Sequence, residues 1–254
     1  MAPGWAGRVA VLTPLGVYLF VYPFGLGLLL LGWLPPGAGW VGGALLVAQG
    51  LALAAWMGLN FGPGRGLTAA AAVGAGAWLL EAVGVTTGLP FGSYHYSPVL
   101  GFWLGPVPAA IPFAWIASIG AAFFTARRVL PARPAGLLGD LLAGAGLATL
   151  QDAVLETVAT RVQGYWSWAA PGAAYYGIPW TNFTTWFGAS LVLGAVLHTV
   201  VRPLPGPDLV YGWLPLLLYI LSLVIFGLLD VSHGFLIPAA LATLLLAILY
   251  WRLP

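Results

Sequence analysis

Residues 209–229, LVYGWLPLLLYILSLVIFGLL, run for 21 positions without a charged side chain. About 18 such residues in a helix are enough to cross the ~30 Å hydrocarbon core of a bilayer. Seven further stretches read the same way: 9–31, 40–59, 67–86, 107–126, 136–160, 181–201 and 235–251. The whole chain is 61% hydrophobic and 6% charged, where a soluble domain carries about 25% charged residues. It cannot cover a water-facing surface. The expectation is an all-α, polytopic integral membrane protein with about eight transmembrane helices, forming a single transmembrane helical domain over 1–254. The long unbroken runs exclude a barrel, whose strands alternate. No secretory leader followed by a soluble domain is visible. Cysteine is absent, which removes disulfides, thiol nucleophiles and iron–sulfur ligation. No basic run suggests nucleic acid.

Turns rich in Gly and Pro separate the runs: LPPGAG (34–39), FGPGRG (61–66), PARPAG (131–136) and RPLPGPD (202–208). The arginines set the orientation, because cytoplasmic flanks of membrane helices are enriched in basic residues. With eight spans, Arg8, Arg65, Arg127, Arg128, Arg133, Arg202 and Arg252 fall on one side and Arg161 alone on the other. Both termini are therefore expected in the cytoplasm, with the protein in the plasma (inner) membrane.

On that map most remaining ionisable groups gather at the outer level. Asp152 and Glu156 are four apart on one helix face, in a stretch that otherwise reads like membrane interior. A carboxylate at the bilayer centre costs about 2.5–3.5 kcal/mol on insertion scales, so two need pairing, protonation or water. A packing network neutralised by Arg161 or an amide is the bland alternative to a catalytic pair. Glu81 sits on an apolar span with Trp78 on the same face; the alternative is a helix-end Glu reaching the interface. GSYHYSP (92–98) puts Tyr94 and a second tyrosine around His95, as a lid or as an interfacial belt. Asp230 and His233 lie at the outer turn between the last two spans, as site residues or as a helix-capping turn. Asn182 opens the sixth span, as an N-cap or a water ligand. Residues 164–187 hold four Trp and three Tyr, enough to line a groove for a long, flat, apolar molecule. Asp140 and Asp208 are expected at inner helix starts, and His198 at the inner interface. No three-histidine or other metal site is expected.

LEAVGVTTGLPFGSYHYSPVLG followed by VPAAIPFAW, and QDAVLETVA followed by YWSW and YYGIPWTNFTTW, resemble the CruF-type carotenoid hydratases and the archaeal hydratases of bacterioruberin precursors. The likeness covers about residues 78–190 in motif and the chain in length and hydropathy. One departure is Thr157, where relatives often carry Pro; it is expected to straighten the helix locally. The resemblance implies hydration of the terminal 1,2 (1′,2′) double bond of an acyclic carotenoid end, γ-carotene-like or lycopene-like, without a cofactor. Its partners would be the carotenoid, water, the bilayer and other enzymes of carotenoid biosynthesis. The reaction needs an acid, a cation-stabilising wall, a held water and a base. Asp152 or Glu156 is the expected acid, with the other as its partner; Glu81 or Asp230 is the expected base. Trp166, Trp168 or Tyr175 would face the cation, with Tyr94, Tyr176 and Asn182 near the water. A membrane carotenoid cyclase, a UbiA-type prenyltransferase and a proton-coupled transporter remain rival readings.

Overall fold

The computed structural model describes residues 4–129, 136–169, 175–202 and 209–252; Arg133 and Asp208 lie outside them. The apolar runs form eight helices among the described residues: α1 (Trp5–Leu30), α2 (Trp40–Phe61), α3 (Pro63–Thr87), α4 (Ala110–Val129), α5 (Gly136–Thr157), α6 (Trp180–Val200), α7 (Leu214–Ser232) and α8 (Leu236–Arg252). The first seven are long and apolar enough to span a membrane; α8, with 17 residues, falls just below that length. A polytopic membrane protein follows.

Helix starts shift where proline sets them. Pro63 opens α3 four residues before the expected span, because its fixed φ and missing N–H suit the first helical turn. Pro215 sits in the first turn of α7, and the residues just before that helix form turns. Asp140, expected at a helix start, lies beyond the first turn of α5 and pairs with Arg127 at 3.9 Å.

α4 packs against α2, α3, α5 and α7, and α5 against α6, α7 and α8. Small residues let them approach. A Cβ on Gly50 would lie 2.5 Å from the Phe113 carbonyl oxygen, so α2 meets α4 nearly backbone to backbone. Trp56, Trp115, Tyr219 and Leu223 fill the centre and are fully buried.

The loops at one end of the bundle add something the all-helical expectation omits. Tyr94–Tyr96 (β1) pairs antiparallel with Trp166–Trp168 (β4), and Trp103–Leu104 (β2) with Val107–Pro108 (β3). These short pairings cap the bundle where α3 and α5 end and α4 and α6 begin.

The helix beyond Glu156 is not straight. α5 passes at Thr157 into a π turn over Val158–Val162, with Gln163 N–H bonded five residues back to Val158 O. Thr157 restores the backbone N–H that Pro would lack, but its hydroxyl also donates to Asp230 Oδ1 of α7 at 2.5 Å. The widened turn lets the chain leave the helix toward β4; such turns recur at functional sites.

Candidate active site

The β1–β4 pair brings four aromatic donors onto one face. Directly opposed residues of an antiparallel pair share a face, and the register matches Tyr94 with Trp168, His95 with Ser167, and Tyr96 with Trp166. Strand alternation then sends Tyr94, Tyr96, Trp166 and Trp168 one way and His95 and Ser167 the other. The rings interlock, with centroids 5.2 Å apart for Tyr94 and Trp168 and 5.9 Å for Tyr96 and Trp166.

Each strand holds one carboxyl. Glu81 Oε2 accepts from Tyr94 Oη in a short bond and from Tyr96 Oη at 2.8 Å; its Oε1 accepts from Trp115 Nε1 of α4 at 2.9 Å. Trp115 is fixed by stacking on Trp186 of α6, 3.8 Å between centroids and nearly parallel. Glu156 Oε2 accepts longer bonds from Trp166 Nε1 at 3.3 Å and Trp168 Nε1 at 3.4 Å. Burial, with the Glu81 carboxyl alongside, pushes the Tyr94 and Tyr96 phenols above the usual tyrosine range. Both therefore keep their protons near neutral pH and remain donors.

Glycine makes the arrangement possible. A Cβ on Gly84, one turn above Glu81, would meet Phe91 at 2.7 Å and Tyr94 Oη at 2.9 Å. Any larger residue there would push β1 off Glu81.

Asp152 stands one turn below Glu156. Its Oδ2 accepts from Asn182 Nδ2 at 2.9 Å, and its Oδ1 is buried without a partner among the described residues. Exposure is 5% for Glu81, 1% for Asp152 and Glu156, and 0% for Asp230, so solvent screening cannot offset their cost. An unsatisfied buried polar group costs about 1–3 kcal/mol, and more when charged.

A cavity of about 170 Å³ joins Glu81 and Glu156. Glu81, Glu156, Asn182, Tyr94, Tyr96, Trp166 and Trp168 line it, with Trp115 and Trp186. Apolar residues of α1, α2 and α7 form the remaining wall, among them Leu29, Leu45, Ile225 and Phe226. No Arg, Lys or His lines it among the described residues.

Several residues singled out in the sequence lie elsewhere. Asp152 reaches the cavity only through Asn182. Asp230 is held by Thr157 behind the wall. Asn182 is the third residue of α6, not its N-cap, and its amide faces Asp152. Arg161 is exposed and donates to Tyr176 O at 3.0 Å and 2.6 Å, so it does not neutralise the acids. Tyr176 Oη accepts from Ile237 N–H at 3.3 Å, and Tyr175 Oη donates to Ala153 O at 2.8 Å. Trp78 Nε1 donates to Leu104 O at 3.0 Å. His95 is exposed; His233 is exposed and its Nδ1 lies 2.9 Å from Leu229 O in a helix-end turn.

The sequence reading does not single out Tyr96 and Trp115, which both bond Glu81, and takes Trp186, which stacks on Trp115, only as one of the groove aromatics of 164–187. Tyr96 and Trp115 stand in motifs already noticed, GSYHYSP and VPAAIPFAW. Their apolar bulk hid the polar N–H or O–H that each aims at Glu81.

The family described as carotenoid biosynthesis protein matches residues 41–249, which takes in every acid of the site and nearly all of the chain from α2 to α8. The bisanhydrobacterioruberin hydratase of Haloarcula japonica is 33% identical over 108 residues. That match covers 42% of this chain and 36% of the relative, so it spans about a third of the relative's length. No solved structure matches. A polytopic helical chain, a carboxyl-bearing aromatic cavity under its loops, and a family match over seven of the eight described helices agree: the chain belongs to the carotenoid biosynthesis protein family.

Proposed function

We propose that this protein is a carotenoid hydratase that adds water across the terminal 1,2 (1′,2′) double bond of an acyclic carotenoid end. The observation that carries the reading is the pairing of two carboxyls, Glu81 and Glu156, on one aromatic cavity that holds no basic side chain among its described residues. The name of the Haloarcula relative supports the same reaction class.

The terminal alkene has two methyls on C1 and one hydrogen on C2. Glu156 gives a proton to C2, and the π pair forms the new C–H bond. The positive charge appears at C1, a tertiary centre. Water bonds to C1 through a lone pair, and the resulting oxonium loses a proton to Glu81. Solvent returns that proton to Glu156, so the catalyst is restored and the product is a tertiary alcohol.

Hydrogen bonding divides the roles. Both indoles that reach Glu156 bond to Oε2 and can only donate, leaving Oε1 to carry the proton. Glu81 has donors on both oxygens, a setting for a carboxylate that accepts. Asp152, behind Asn182, backs Glu156 one turn away. The faces of Trp166 and Trp168 stabilise the cation by about 2 kcal/mol or more when desolvated. Tyr94 and Tyr96 orient the base, and no metal or organic cofactor enters these steps. The orientation inferred from the arginines places the cavity toward the outer leaflet.

Expression in a bacterium that makes lycopene or γ-carotene, followed by mass analysis of its pigments, tests the proposal. A hydratase gives products heavier by one water. Pigments of unchanged mass but altered chromatography would identify a cyclase instead.

A further inference from the structure

The cavity has a second polar surface that the acids do not explain. At its deep end four helices each contribute one neutral polar side chain: Gln49 from α2, Ser118 from α4, Gln151 from α5 and Ser222 from α7. Gln49 lies nine residues in from the capped end of α2, Ser118 eight from that of α4 and Ser222 ten from that of α7. At about 1.5 Å per residue these positions are roughly 12–15 Å down, near the middle of a ~30 Å hydrocarbon layer. Gln151 stands five residues before Glu156 on the same helix.

The cluster is incompletely bonded. Gln151 Nε2 donates to Ser222 Oγ at 2.8 Å, while Gln151 Oε1 is buried with no partner among the described residues. Turning the amide over would let it accept from Ser222 and leave its NH₂ group unpaired. Either way one end of a 5%-exposed side chain is left over. Gln49 and Ser118 make no side-chain hydrogen bond among the described residues. Apolar residues at all four positions would pack at lower cost in this layer.

We infer that Gln49, Ser118, Gln151 and Ser222 form a binding site for the water that the reaction consumes; the inference rests on the hydratase reading above. Amides and hydroxyls both donate and accept, and two to four such partners are what a buried water requires. The four groups are neutral, so the site suits water better than an ion. It also leaves the acid's proton untouched, since none of these groups is a strong base. The held water lies in the same cavity as Glu156 and Glu81, ready to meet the C1 cation and pass its surplus proton to Glu81.

A cation that finds no water either loses a proton or is captured by the next double bond to close a ring, and neither outcome adds the mass of a water. Losing the original hydrogen from C2 returns the alkene; losing one from a methyl on C1 gives the methylene isomer. In D₂O both carry deuterium delivered at C2. This separates protonation from water capture.

The experiment uses the full chain in membranes supplied with lycopene in D₂O, comparing wild type with Gln151→Leu, Ser222→Ala and the double variant. Ser190→Ala, which removes a buried hydroxyl away from the cavity, is the control, and protein in the membrane is quantified for each. The double variant is expected to lose hydration about tenfold or more, a barrier change of the size of one hydrogen bond. It should still place deuterium in recovered lycopene or its isomer, while Ser190→Ala matches wild type. Undiminished hydration in the double variant would overturn the water site. So would equal loss of hydration and deuterium exchange at normal protein level, which would move the cluster into the acid step. Wild type giving neither alcohol nor deuterium would remove the hydratase reading itself.

Discussion

Glu81 and Glu156 are held by the two strands of one sheet: Tyr94 and Tyr96 of β1 reach Glu81, and their register partners Trp168 and Trp166 of β4 reach Glu156. Two acids from helices far apart in sequence are thus fixed by a single pairing of three residues with three. Moving either strand moves both carboxyl environments together.

Tyr96→Phe tests that coupling. It removes one phenol donor from Glu81 and leaves the ring in place. A hydrogen bond to a charged group is worth about 1.5–3 kcal/mol, so turnover should fall about ten- to a hundredfold with little change in protein level. Pigment yield per unit of membrane protein measures it; wild-type turnover would separate β1 from catalysis.

Gly84→Val addresses the same contact by crowding. The new side chain would meet Phe91 and Tyr94 and drive Tyr94 from Glu81. Activity should fall further than in Tyr96→Phe, because both tyrosines move with the strand. Activity above that of Tyr96→Phe would show that β1 yields without cost.

Thr157→Ala removes the hydrogen bond that Asp230 Oδ1 accepts, and among the described residues the other carboxyl oxygen has no partner. The bare carboxyl should cost about 1–3 kcal/mol, lowering the midpoint of thermal unfolding in detergent by several degrees, about 2–4 °C per kcal/mol. An unchanged midpoint would mean that Asp230 finds another partner.

His95→Ala and His233→Ala should each leave activity within about twofold, since a surface change away from the site rarely exceeds 0.5 kcal/mol. Both side chains are exposed and neither lines the cavity. A large loss in pigment conversion would require them to act at a stage the cavity does not show.

The helices were legible because membrane spans are written in composition: each apolar run must supply its own backbone hydrogen bonds in lipid. α6, expected at 181–201, is Trp180–Val200. The acids were legible for the complementary reason, since Asp152, Glu156 and Glu81 are expensive where they stand. The β1–β4 pair was not. YHY and WSW are too short to show a period, and they meet across about seventy residues of chain. Trp115 was hidden too: in an apolar helix an indole reads as bulk, and its N–H gains meaning only opposite Glu81. Asp230 looks like a member of the acid group by level alone, yet it bonds Thr157 and does not line the cavity.

The central claim is that Glu81 and Glu156 together add water to an acyclic carotenoid end. Its most direct test is mass analysis of pigments formed in ¹⁸O-labelled water by wild type, Glu81→Gln and Glu156→Gln at matched membrane levels. Wild type should yield an alcohol carrying the label, and each variant should lose about 100-fold or more, as removal of a general acid or base does. Labelled alcohol at wild-type yield from both variants would contradict the account.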